Sequence, residues 1–388
     1  MKSFRHLVPA LRIFHGADCF KTLAAELERE GASRAVIFTG NTLSKPGSPV
    51  DLIRAALGER CAGVYAGVKS DSPVPAVEDA ARELERLGAD AIIAVGGGSA
   101  IVTARAAAIL LAEKDEVKNL CTRQVGDKQV SPKLLKPKIP QFVVPTTPTT
   151  ASIKAGSAVL DPVEGTRLPL FDPKTRARAL FIHPDFMATA SRELVVSASL
   201  NTMALALEGL LSPTGDPMSD AMLIHAVRLM SRQIVAASTS DDMQVRSDLM
   251  MASLMAGHGT DYTGAGMAIP VGHAIGTRCG IDMGVSDAIM LPHVLRFNAE
   301  AAAAGITKLV DALGLRLAVG ESEVEAVIAK LEAIFGALGV PKRLRDAGIG
   351  REVLHELATI AFGDWYLQNN PRKIRDVAEL EGVLEQAW

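Results

Sequence analysis

The order of apolar and polar positions divides the chain into two unlike halves. In the first half, short continuous apolar runs alternate with amphipathic stretches. "SRAVIFTG", "DAIIAVGGGSA" and "QFVVPTT" each hold a brief apolar run bounded by Gly, Pro or Thr, and read as buried strands. "FKTLAAELEREGA" and "PAVEDAARELERLGA" space their apolar residues at the helical period and meet a glycine near the end. Strands that are apolar throughout, alternating with helices, predict a parallel sheet covered on both faces. The segment from Lys114 to Lys138 is rich in Lys, Asp and Gln and reads as a solvated loop. After "ALFIHPDF" the strand signals fade, and the chain from about Pro184 is Ala-, Leu- and Met-rich with helical spacing. The expected division is therefore an α/β domain over 1–183 and an all-helical domain over 184–388. Within the second half, "SASLNTMALALEGLLSP" (Ser197 to Pro213) reads as a helix start followed by an apolar face. Asn201 and Leu205 stand four apart on it and share that face.

Composition changes this picture by exclusion. The 388 residues are 48% hydrophobic, enough for a large core and about two domains. Forty-one basic residues face 44 acidic ones, a formal charge of −3, so no basic surplus argues for nucleic acid or anionic lipid. Cys19, Cys61, Cys121 and Cys279 are far apart with no CxxC pair, which points to reduced thiols and a cytoplasmic protein. Arg12 interrupts any apolar core in the N-terminal stretch, so no signal peptide is expected. No long uncharged apolar run predicts a membrane span.

The strongest local chemistry lies in "DAIIAVGGGSAIVTARAAAIL". An apolar strand enters Gly96, Gly97, Gly98 and Ser99, and a helix follows. Glycines let backbone N–H groups approach a diphosphate, and the helix N-terminus favours its charge. The pattern is neither GxGxxG nor a P-loop, and a turn needed only for packing would look similar. Farther on, "VVPTTPTTASIKAG" places Thr146, Thr147, Thr149 and Thr150 after a strand. Their hydroxyls suit phosphate, ribose or an amide, although a Thr-rich turn without a ligand fits as well.

Taken in order, these stretches resemble the iron-containing (group III) alcohol dehydrogenase family. The resemblance is carried by GGGS after a strand, PTT beyond it, "GHAIG", "LPHVLRFN" and "NNPRKI", together with the opening "LRIFHGAD" and "YAGVKSDSPVPAVEDA". It implies an α/β Rossmann-like nucleotide-binding domain, an all-α C-terminal domain (dehydroquinate synthase-like architecture), NAD(P) in a cleft between them, and a homodimer.

The same resemblance exposes a departure. Family members hold iron or zinc with one Asp and three His, and those positions match Asn201, Leu205, Ile269 and Met283. Leu and Ile have no lone pair to donate, Asn offers a neutral carbonyl oxygen, and Met a soft thioether. This neutral set does not offset the desolvation of a hard divalent ion, so no metal is expected. His273 matches a catalytic His that the family carries and becomes the first candidate acid. His258 and Tyr262 are polar additions one helical turn apart, and Tyr366 precedes the "NNPR" block. All three are candidate substrate residues. Ile153, Val102 and Arg105 stand where relatives carry Glu, Asp and Lys, and Arg167 stands where a Lys near the nicotinamide is common. After "AVIFT", Gly40 and Asn41 replace the acid that NAD-preferring relatives use on the ribose diol, so NADP(H) is expected beside NAD(H).

The leading reading is a metal-independent NAD(P)(H)-dependent oxidoreductase moving a hydride between nicotinamide and a small alcohol, aldehyde or keto compound. Its cofactor-binding residues would be Gly40, Asn41, Gly97, Gly98, Ser99, Thr146, Thr147, Thr150 and Arg167. A maleylacetate reductase-like enzyme, a lyase or isomerase using bound nucleotide, and a silent nucleotide-binding subunit are the competing readings.

Overall fold

The computed structural model describes residues 3–125 and 128–388. The chain folds into two compact units, Val8–Ala190 and Ser191–Trp388, and the segment ending at Leu7 belongs to the second.

The first unit is built on a parallel sheet, as the continuous apolar runs require. Its strands are β1 (Arg12–His15), β2 (Ala35–Phe38), β3 (Cys61–Tyr65), β4 (Ala91–Gly96), β7 (Gln141–Pro145) and β10 (Ala177–Ile182), in the order β1-β10-β7-β4-β2-β3. A small hairpin, β5 (Arg123–Val125) with β6 (Lys128–Val130), and a longer one, β8 (Gly156–Asp161) with β9 (Thr166–Phe171), are antiparallel. Every residue of β2, β4 and β7 is buried. On one face Ile37, Ile93, Val95, Phe142 and Phe181 join Phe20 and Phe186 in a core with α1 (Leu23–Arg29) and α2 (Val50–Leu57). Against the other lie α3 (Val74–Leu87) and α4 (Gly98–Glu113). Helix α3 buries Val77, Ala80 and Leu84 at helical spacing and stops at Gly88 in the left-handed region, where glycine lacks the Cβ penalty. From β2 the chain goes to β3 on one side, then returns to β4 on the other, so the topological switch lies between β2 and β4. Parallel α/β sheets bind ligands at the carboxyl ends of the strands beside such a switch.

Two expectations are corrected in this unit. The stretch from Lys114 to Lys138 is not simply a solvated loop. It contains the short helix α5 (Val117–Leu120), and Val117, Leu120, Cys121 and Leu134 are buried in a core with Ile109 and Leu170. Lys138 is fully buried there with Glu113 at 2.6 Å and Asp172 at 3.1 Å, and residues 126 and 127 lie outside the described residues. The division expected at 183/184 falls instead at 190/191. The short helix α6 (Pro184–Met187) stays with the sheet because His183 caps it and Phe186 packs on Phe20.

The second unit is helical. Its elements are α7 (Arg192–Leu211), α8 (Pro217–Thr239), α9 (Met243–Thr263), α10 (Ala268–Cys279), α11 (Met283–Asn298), α12 (Ala303–Leu313), α13 (Glu323–Ala337), α14 (Leu354–Phe362) and α15 (Val377–Ala387). Helix α7 begins earlier than its apolar face suggested, at a Ser191 cap whose hydroxyl accepts from Leu194 N–H. Ser197 is therefore internal. Small residues set how closely the helices approach. A Cβ on Gly209 would lie 2.8 Å from Thr263 Oγ1, and one on Gly259 would lie 2.5 Å from Leu223 Cγ. By length and composition α7 passes as a membrane-spanning helix, but 72% of its apolar window is buried inside the fold.

Candidate functional site

In the α/β unit the two predicted ligand turns converge. Strand β4 ends at Gly96, whose φ of 145° is a conformation that side-chain-bearing residues avoid. Gly97 caps α4, so the first N–H groups of a 16-residue helix lack intrahelical acceptors and carry its positive dipole end. A Cβ on Gly97 would stand 2.9 Å from Thr147 Oγ1, and one on Gly98 would stand 3.4 Å from Thr149 Oγ1. Thr146 N–H donates to Gly96 O at 3.1 Å, which ties the threonine turn to the glycine turn. Thr146, Thr147 and Thr150 are themselves buried. The result is a glycine floor beside a hydroxyl wall at the carboxyl ends of β4 and β7. Gly40 and the exposed Asn41 follow β2, on the other side of the switch. Ser99 braces the turn from the α4 side. Its hydroxyl accepts from Asp71 N–H and its carbonyl from the Ser72 hydroxyl. Asp71 and Ser72 have φ of 60° and 50°, two successive left-handed non-glycine residues, and such strain persists only where surrounding contacts impose it. Arg167, on β9, pairs with Asp71 at 2.6 Å.

In the sequence Arg105 stands out only as a replaced lysine. The structure buries it completely, with its guanidinium donating to the carbonyls of Ala151 and Gly156. It fastens the end of the threonine turn to β8. Val102 and Ile153 flank this region as apolar residues, Ile153 buried.

In the helical unit, α7, α10 and α11 bring together the positions where the family holds metal. Asn201 Nδ2 donates to Asp287 Oδ2 at 2.8 Å. Asp287 is completely buried, and burial holds its carboxyl well above the usual range. Its Oδ1 has no hydrogen-bond partner and lies 2.0 Å from where a Cβ on Gly272 would stand. Leu205 and Ile269 are buried, and Met283 opens α11 with its Cγ beside Gly276. This set does not fit the family's hard divalent ion. It offers a neutral amide whose Nδ2 is already bonded to Asp287, two hydrocarbon side chains and a thioether. Among the described residues, no three His, Cys, Asp or Glu side chains converge as ligands.

Glu208, also on α7, caps α10. Its carboxylate accepts from Gly266, Ala268 and Ile269 N–H groups, while burial pushes its pKa up to about 7. Helix α10 then presents His273 one turn after Ile269. His273 Nδ1 lies 2.7 Å from Asp364 Oδ2, with the rings of Trp365 and Tyr366 at 5.8 and 6.2 Å. The "NNPR" and "RFN" motifs meet as well, because the Asn298 and Asn370 amides bond each other at 2.9 and 3.0 Å. Asn370 also accepts from Met267 N–H at the start of α10.

Tyr366 thus joins His273, but Tyr262 does not. The Tyr262 hydroxyl bonds the backbone N–H and C=O of Leu7, and its ring stacks on His6 at 4.1 Å. His6 in turn meets Asp216 at 3.2 Å. Tyr262 therefore anchors the N-terminal segment, a contact between distant parts of the sequence that no local pattern announces. His258 lies half-buried one turn earlier on the same helix. Asp287, Asp364 and Glu208 are residues of this region that sequence reasoning does not single out. A lone acid within an apolar helix was the available signal for Asp287 and Glu208.

A Rossmann-like α/β unit with a glycine–threonine turn, followed by a helical unit carrying a buried acid–amide pair and a carboxylate-bound His, defines a two-part nucleotide-dependent enzyme architecture. Comparison with known proteins makes the class specific. The family description "Iron-containing alcohol dehydrogenase" matches residues 9–184, and "Fe-containing alcohol dehydrogenase family, C-terminal" matches 195–388. The chain belongs to the iron-containing alcohol dehydrogenase family. It is 28% identical to lactaldehyde reductase of Escherichia coli (strain K12), over 94% of this chain and 95% of that one. It is 25% identical to NAD-dependent methanol dehydrogenase of Bacillus methanolicus, over 94% and 96%. The crystal structure of a 1,3-propanediol oxidoreductase superposes with a TM-score of 0.89 at 23% identity, covering both chains fully, which shows the shared fold.

Proposed function

We propose that this protein is an NAD(P)(H)-dependent oxidoreductase that reduces a small aldehyde or keto compound without the metal of its family. The observation that carries the reading is the pairing of an intact nucleotide turn with a ligand set that cannot ligate. The glycine floor beside Thr147 and the N-terminus of α4 support a diphosphate site at Gly96–Gly98. Meanwhile the Asn201 amide is committed to Asp287. Relatives named for lactaldehyde reduction and NAD-dependent methanol oxidation support the substrate class and the nucleotide. Gly40 supports acceptance of NADP(H), because no carboxylate stands there to repel a 2′-phosphate.

Bound in the glycine–threonine turn, NAD(P)H would supply the hydride and its electron pair to the carbonyl carbon, leaving NAD(P)+ as the C=O π pair moves onto oxygen. His273 supplies the proton from Nε2, since its Nδ1 is taken by Asp364. In the metal-dependent relatives an ion would polarise that oxygen. Here the His273 imidazole takes the electrophilic part.

The test follows NAD(P)H absorbance near 340 nm across aldehydes and keto acids, before and after dialysis against a chelator, with metal content measured in parallel. Consumption that survives chelation in metal-free protein is expected. Stoichiometric iron or zinc whose removal abolishes turnover would refute metal independence. Product formed with no net consumption of nucleotide would favour a lyase or isomerase.

A further inference from the structure

The carboxylate of Asp364 does two things at once. Its Oδ2 faces His273 Nδ1 at 2.7 Å, and its Oδ1 accepts the backbone N–H of Tyr366 at 2.9 Å. The second bond caps the short turn Trp365–Asn369 and fixes the rotation of the carboxylate. Both side chains are largely buried, 8% exposed for Asp364 and 16% for His273, so water competes weakly for either oxygen. A carboxylate only accepts hydrogen bonds, so the imidazole nitrogen facing it must donate. The neutral ring is thereby held as the Nδ1–H tautomer, and Nε2 is left for the reacting oxygen. Trp365 and Tyr366 flank the ring at 5.8 and 6.2 Å and limit its tilt.

We propose that Asp364 is the positioning residue for His273, fixing its tautomer and its ring orientation for proton transfer at Nε2. This rests on the reading of His273 as the acid. The two helical elements involved lie 91 residues apart in sequence, so the contact is a tertiary one rather than a by-product of a local turn.

The Tyr366 N–H makes the substitution Asp364→Asn directional. In the variant the amide oxygen keeps its place opposite the Tyr366 donor, and the amide NH2 turns toward His273. Nδ1 must then accept, and the neutral ring switches to Nε2–H. The experiment combines steady-state kinetics on Asp364→Asn, Asp364→Glu and His273→Ala with ¹⁵N-resolved imidazole spectra of His273 in wild type and Asp364→Asn. The expected results for Asp364→Asn are a kcat lower by roughly 10²- to 10⁴-fold, the contribution that positioned general acid–base catalysis typically makes, and a KM for nucleotide within about twofold. The Nδ1–H signal should be replaced by Nε2–H, and Asp364→Glu should recover part of kcat. The proposal is overturned if His273→Ala abolishes turnover while Asp364→Asn keeps kcat within about threefold, or if the ring stays Nδ1–H in the variant. If His273→Ala retains full kcat, the acid assignment fails, whereas the tautomer spectra still report whether Asp364 controls the ring. Circular dichroism on each variant separates these outcomes from misfolding.

Discussion

Replacing Gly272 by Ala should strain the helical unit where α10 packs on Asp287. The added Cβ would stand 2.0 Å from Asp287 Oδ1 and 3.1 Å from its Cγ. No atoms pack at 2.0 Å, and Asp287 sits in a fully buried pocket with few places to go. The carboxyl must rotate, which breaks its 2.8 Å bond with Asn201. Losing that bond costs about 1 kcal/mol, and overfilling a packed core costs about 1–3 kcal/mol more. The sum, roughly 2–4 kcal/mol, corresponds to a fall in Tm of roughly 5–12 °C for a unit of this size. Thermal unfolding followed by far-UV circular dichroism would measure it. The decisive comparison is a cycle with Asp287→Ala, which removes the obstructing atoms. In that background Gly272→Ala should be nearly neutral, giving a coupling of about 2 kcal/mol or more. Additivity within about 0.5 kcal/mol would show that Gly272 and Asp287 are not packed as described.

Two further outcomes follow from the same geometry. Glu208 has its pKa raised from 4.5 to about 7 by burial, so the folded state binds its proton more tightly than the unfolded state. Its contribution to stability is therefore complete below pH 4.5 and is lost as pH rises through about 7, by about 3 kcal/mol. The stability of wild type relative to Glu208→Gln should fall across that window, and a difference independent of pH would contradict the assignment. Gly40→Asp should shift the nucleotide preference toward NADH. A Cβ there meets nothing within 4 Å, and the new carboxylate can accept from a ribose diol while repelling a 2′-phosphate. The NADPH-to-NADH ratio of kcat/KM should drop roughly tenfold, about 1.4 kcal/mol; an unchanged ratio would place the ribose elsewhere.

What could be read from the sequence was what local period and turn chemistry control. The all-buried strands β2, β4 and β7 announced themselves as apolar runs, and α3 as an amphipathic helix with a glycine stop. Strand β1 escaped notice because it is a four-residue edge strand with alternating exposure, too short to show a period. The hairpin β8–β9 was also missed, since Pro169 within β9 and the polar residues around it weaken any strand signal. The site divides along the same line. The glycine turn is a local backbone feature and could be located directly. The acid–amide pair at Asn201 and Asp287 spans 86 residues, and the Asp364–His273 contact spans 91. Neither has a signature in spacing, because helix packing alone creates them.

That difference alters how the substituted ligand positions are understood. From the sequence they formed a list of losses, an Asn, a Leu, an Ile and a Met where a cation would need donors. In the folded chain they enclose a replacement. Asn201 Nδ2 bonds Asp287, whose pKa burial raises well above the ordinary carboxyl value. Glu208 lies in the same helical core, and its negative charge adds to burial in raising the Asp287 pKa. An imported divalent ion would meet one neutral amide oxygen, one thioether and two hydrocarbon side chains at the four positions, with no charged ligand among them.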